Sequence, residues 1–114
     1  MPALYVVAMA EMTNLQFDIL TALAATRRHG YALIEEIERA TSKRPGVATV
    51  YAALNKLEQA GLVAPAGDEV VDGRVRRYFA ITRPGSNALT AEATRMAKRS
   101  QIAMKSLGLT EAIA

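Results

Sequence analysis

Apolar residues recur along the chain at two different periods, and the change of period divides it. Leu15, Ile19, Leu20 and Leu23 fall at helical intervals, with Phe17 beside them, as far as about Ala25. Thr13-x-x-Gln16 stands just ahead with capping-box form, so a helix is expected to begin there. Thr26-Arg27-Arg28-His29-Gly30 breaks the pattern. A second helix is expected with Tyr31, Leu33, Ile34 and Ile37 inward and Glu35, Glu36, Glu38 and Arg39 outward, stopping near Thr41-Ser42. The segment from Pro45 to Gly61 reads as a third helix with both ends marked. Pro45 disfavours helix before it, Gly46 is an acceptable N-cap, and Gly61 stands where a left-handed residue ends a helix. Val47, Val50, Leu54 and Leu57 form its expected buried stripe.

After Gly61 the period shortens. Leu62-Val63-Ala64-Pro65 is a short apolar run, Ala66-Gly67-Asp68-Glu69 and Asp72-Gly73 carry turn chemistry, and Arg74 to Thr82 is rich in β-branched and aromatic residues. Two strands joined by a loop behind a third helix make a wing, with Gly73 and Arg74 at its tip. Strict alternation puts Arg74 and Arg76 on one face, and Arg77 on the other with Val75 and Phe79. Thr82 has N-cap chemistry and Pro84 suits a first helical turn, so a long helix is expected from about Arg83 to Leu107, ended by Gly108. Leu89, Ala93, Met96, Ser100, Ala103 and Leu107 repeat at alternating steps of four and three, a heptad seam. A helix this long stays ordered only when packed, and pairing between two subunits would order it.

The fold class that follows is mainly α with a small antiparallel β-hairpin: a winged helix-turn-helix with an added C-terminal dimerisation helix. Residues 1–12 are expected to form an arm or short helix, 13–82 the winged domain, and 83–114 the dimerisation helix and tail.

The face of the third helix opposite its stripe holds Ala48, Thr49, Ala52, Asn55, Lys56 and Gln59, none of them acidic. Small residues allow close backbone approach to a DNA groove, while Thr, Asn, Lys and Gln can reach phosphates and base edges. Charge is uneven as well. Gly73–Lys105 holds eight basic residues against one acid, Glu92, whereas Met1–Asp72 holds six basic and nine acidic. The excess points to a polyanion near the C-terminal half.

The remaining composition mostly excludes. With 114 residues and 51% hydrophobic content the chain makes one soluble domain. There is no cysteine and one histidine, so no metal site or thiol chemistry is expected, and a reducing cytoplasm fits. No apolar run approaches a membrane span. Ala8-Met9-Ala10 has the form of a signal-peptidase site but lacks a basic segment before it. No nucleophile–base pair or phosphate-binding glycine loop is present, so no enzyme and no cofactor is expected. Glu35, Glu36 and Glu38 read as solvated charge.

Four blocks carry a family resemblance: Ile19-Leu20-x-x-Leu23; His29-Gly30-Tyr31; Thr49-Val50-Tyr51-x-x-Leu54-x-Lys56-Leu57-Glu58-x-x-Gly61-Leu62-Val63; and Gly73-Arg74-x-Arg76-Arg77-Tyr78-Phe79-x-Ile81-Thr82-x-x-Gly85. In this order and spacing the chain resembles the PadR family of bacterial transcription regulators in its short form, over about residues 13–107. The resemblance implies a homodimeric winged-helix repressor of a palindromic operator in double-stranded DNA, in some members released by a small-molecule inducer. Carried over residue by residue, it implies DNA contacts from Thr49, Tyr51, Asn55 and Lys56, and from Gly73, Arg74 and Arg76 on the wing. It leaves His29, Gly30 and Tyr31 as structural, with Gly30 at a helix start and Tyr31 in the core. Ala52 stands where many members carry proline. Some drug-binding members stack planar ligands between aromatic residues midway along the last helix; here that stretch lies near Met96, in a chain without tryptophan. The alternative function is a winged-helix protein-interaction module that does not bind DNA.

Overall fold

The computed structural model describes residues 12–109. The expected N-terminal arm therefore lies outside the described residues except for Met12, which packs against the core. Helix α1 spans Asn14–Ala25 and opens on a complete capping box, with Thr13 and Gln16 exchanging backbone and side-chain hydrogen bonds at 3.0 and 3.1 Å. Strand β1 is the dipeptide Arg28–His29, and α2 runs Gly30–Thr41. Helix α3 is Val47–Gln59 with Gly46 as N-cap, and Gly61 holds φ +79°, as a helix-ending glycine should. Strands β2 (Val63–Val71) and β3 (Arg74–Ile81) form the hairpin, and α4 spans Arg83–Ser106.

The core joins the inner faces of α1, α2 and α3 with the root of the hairpin. Ile19, Leu20, Leu33, Ile34, Val50, Leu54, Leu57 and Val63 are almost wholly removed from solvent, with Phe79 closing the sheet side. Each such side chain stabilises by about 1.5–3 kcal/mol relative to exposure. The sheet order is β1-β3-β2, antiparallel throughout. The four helices among the described residues, with this sheet, are a winged helix-turn-helix extended by a C-terminal helix.

Four expectations are corrected. Val47 is 59% exposed rather than part of the buried stripe, which reduces to Val50, Leu54 and Leu57. Tyr31 is 57% exposed and lies outside the core. The buried stripe of α2 is Gly30, Leu33, Ile34 and Ile37, the i, i+3, i+4, i+7 set; Tyr31 falls off it, and the Arg44 guanidinium lies 5.6 Å from its ring. Ala66–Glu69 is not a turn. It lies inside β2, where Ala66 and Gly67 together oppose Tyr78 as a β-bulge between the Pro65–Phe79 and Asp68–Arg77 pairs. Lastly, Arg28–His29 is not a simple break. It adds an edge strand on β3, Arg28 opposite Phe79 and His29 opposite Tyr78.

Candidate nucleic-acid interface

Burying Val50, Leu54 and Leu57 turns the rest of α3 outward. Ala48, Thr49, Tyr51, Ala52, Asn55, Lys56 and Gln59 are all exposed. Thr49, Tyr51, Asn55 and Lys56 thus share one surface: at ~100° per residue Ala48, Ala52, Asn55 and Gln59 lie along its middle, with Tyr51 on one flank and Thr49 and Lys56 on the other. Tyr51 lies over the start of α2, against Gly30.

The hairpin turn is Asp72-Gly73, with φ of +52° and +76°. Positive φ at both central residues matches the right-handed twist of the flanking strands, which is why Asp-Gly is favoured there. Arg74, Arg76 and Arg77 follow, all exposed. In register, Asp68 opposes Arg77 and Glu69 opposes Arg76. Glu69, however, accepts a hydrogen bond from the Tyr78 hydroxyl at 3.0 Å. The bonds that fix the acids go elsewhere: Arg39 to Glu36, Arg44 to Glu38 and Arg95 to Glu92, with Arg28 4.0 Å from Glu36. Among the described residues, Lys56, Arg74, Arg76 and Arg77 take part in no ion pair. On α2, Glu36 and Glu38 are held by Arg28, Arg39 and Arg44, whereas the cations of α3 and the hairpin are bound to no carboxylate among the described residues and are open to an outside anion.

The hairpin is tied to the body by residues that the pattern alone did not single out. Arg27 donates from Nη1 to the Ala66 carbonyl in the bulge at 2.8 Å, and its guanidinium lies 4.2 Å from the centre of the Tyr78 ring. The His29 ring meets the edge of Tyr78 at 5.3 Å, while its Nδ1 accepts from Ala32 N at 3.3 Å to cap α2. The only advance sign was the run of cation and ring residues around the first helix break.

Burial pushes the His29 pKa down, Arg76 adds to this, and Glu69 and Glu35 oppose it. The same geometry demands the neutral ring, because a protonated Nδ1 could not accept from Ala32. With the folded value depressed, the stabilisation is complete above the ordinary imidazole value near 6.5 and is lost as pH falls below it. Melting curves should show wild type losing stability between pH 7.5 and 5.5 more steeply than His29→Asn, whose amide caps at either pH. Parallel curves would mean that His29 titrates freely.

Along the seam of α4, Leu89 is half-buried against the domain's own core, and Ala93, Met96, Ser100, Ala103 and Leu107 are exposed. Leu107 is 70% exposed and Ile102, off the seam, 58%. Met96 also borders a cleft of about 520 Å³ shared with Leu15, Phe17 and Asp18 of α1 and Lys43 and Arg44. Among the described residues no three metal-ligating side chains cluster, and no helix is long and apolar enough to cross a membrane.

Residues 19–91 match the family model described as the transcriptional regulator PadR-like family. The chain belongs to this family. It is a family of transcription regulators, not of enzymes. A PadR family transcription regulator from Clostridium difficile superposes with a TM-score of 0.71 at 21% identity, covering 83% of this chain and 98% of that one. RosR of H. salinarum gives 0.65 at 23%, over 90% of this chain and 96% of that one. A transcriptional regulator from Clostridium thermocellum gives 0.68 at 21%, over 79% and 89%. These likenesses are of fold. An uncharacterized 37.1 kDa protein in transposon TN4556 of Streptomyces fradiae is 39% identical over 85 residues; this chain spans only about a quarter of that relative's length, 24%, while the match takes up 75% of this PadR-like chain.

Proposed function

We propose that the protein is a homodimeric, cytoplasmic repressor that binds a palindromic operator in double-stranded DNA. The observation that carries this reading is the exposed residues of α3, none of them acidic, followed by a hairpin whose arginines take part in no ion pair among the described residues. Lys56, Arg74 and Arg76 neutralise phosphates, giving salt-dependent affinity, and Gly73 lets the turn approach the backbone. Thr49, Tyr51 and Asn55 discriminate sequence. Two α4 helices pair through Ala93, Met96, Ser100, Ala103 and Leu107, with Leu89 at the seam's inner end, and hold the two α3 helices roughly 34 Å apart, one DNA turn. A small-molecule inducer at the α4 pair would release DNA by changing that separation.

Selection of bound duplexes from a random pool tests the reading as a whole. A two-fold symmetric consensus is expected; recovery of no enriched sequence at any salt concentration would favour a protein-interaction module. Asn55→Ala should then lower preference for the consensus by about 1–3 kcal/mol while leaving the salt slope unchanged. Mobility shifts against consensus and scrambled duplexes measure both.

A further inference from the structure

Gly30 is buried at the first position of α2, where a glycine is not needed for backbone reasons: it is absent from the residues of positive φ. What it lacks is a side chain. A Cβ there would overlap the Tyr51 hydroxyl and lie 2.5 Å from Cζ and 3.1 Å from Cε2 of the same ring. The three nearest heavy atoms that such a Cβ would meet all belong to this ring. Tyr51 is 46% exposed, and its hydroxyl end lies over the surface that Gly30 leaves without a side chain.

From this we infer that Gly30 is a positioning residue: its missing side chain is the seat that fixes the Tyr51 hydroxyl at the flank of the α3 surface. The inference rests on the reading of α3 as the DNA-facing helix and assigns a specificity role to a residue of the preceding helix. A methyl at position 30 would push the ring into another staggered well and carry its hydroxyl several ångström away. The obstacle is the tip of a flexible, half-exposed side chain, so the ring moves and the fold is kept.

The test is a double-mutant cycle on the full chain, using the duplex recovered from the random-pool selection as probe and fluorescence anisotropy as readout, with thermal melting of each variant alongside. Gly30→Ala and Tyr51→Ala should each weaken binding roughly tenfold, the loss of one well-placed contact. Gly30→Ala/Tyr51→Ala should bind no worse than Tyr51→Ala, because without the ring the seat has no occupant. All three should melt as wild type does. Additive losses, or wild-type affinity for Gly30→Ala, would overturn the seat while leaving the DNA-facing reading of α3 intact. Wild-type affinity for Tyr51→Ala would remove Tyr51 from the interface and the seat's purpose with it. If Gly30→Ala lowers the melting temperature equally in the wild-type and Tyr51→Ala backgrounds, Gly30 serves the fold alone and the inference falls.

Discussion

Gly85→Ala is expected to destabilise the protein by about 2–4 kcal/mol, the upper range for overpacking a tight contact. Gly85 is the third residue of α4, and a Cβ there would overlap the carbonyl oxygen of Leu62, lie 3.0 Å from its carbon and 2.9 Å from Cγ1 of Ile81. The Leu62 peptide cannot yield. Its carbonyl accepts from Thr82 N at 3.0 Å and its N–H donates to the Leu57 carbonyl at 2.9 Å. Thr82 in turn donates from Oγ1 to the Gly61 carbonyl at 2.7 Å and accepts from Gly85 N at 3.1 Å. The end of α3, the end of β3 and the start of α4 are therefore tied at one point. The contrast with Gly30 is physical: there the obstacle is a ring tip that can swing into water, here it is backbone bonded on both sides. Urea unfolding should show a lower midpoint at unchanged slope. Because this knot sets the angle between α3 and α4, the folded fraction should also lose operator affinity if α4 sets the spacing of two α3 helices. An unchanged midpoint would mean that α4 can slide off Leu62 without cost.

Removing both Arg74 and Arg76 should produce the largest loss of DNA binding short of unfolding. Each phosphate neutralised contributes about 0.9 to the slope of log affinity against log salt. Arg74→Ala/Arg76→Ala is thus expected to flatten that slope by about 2 and to weaken binding to consensus and scrambled duplexes alike. Stability should change little, since both side chains are exposed and neither belongs to an ion pair among the described residues. Anisotropy titrations at several salt concentrations give the slope. A loss confined to the consensus duplex would make these arginines base readers rather than phosphate contacts, and an unaltered slope would take the hairpin off the DNA.

Helix ends were legible because caps are local. Thr13 with Gln16, Gly61, Thr82 and Gly108 each act within a few residues, and all four stand where the pattern put them. The acid-free face of α3 was legible for a similar reason, since helical period alone separates it from Val50, Leu54 and Leu57. The Asp72-Gly73 turn was readable from its two residues. The bulge was not: Ala66-Gly67 carries the same turn chemistry, and only the length of β3 opposite keeps the chain extended there.

What the sequence determined by itself is everything whose cause lies within one or two helical turns: the helices α1 to α4, their ends, the hairpin turn and the exposed residues of α3, none of them acidic. Tertiary structure decided what depends on a neighbour distant along the chain. Arg28–His29 became a strand only because β3 offers a free edge, and two polar residues carry no period to announce it. Gly30 took the buried place assigned to Tyr31, because apolar patterning gives a glycine no weight while a close-packed ring selects it for having no side chain. Local chemistry is written in short spacings; contacts between elements depend on volumes and free edges, which no spacing encodes.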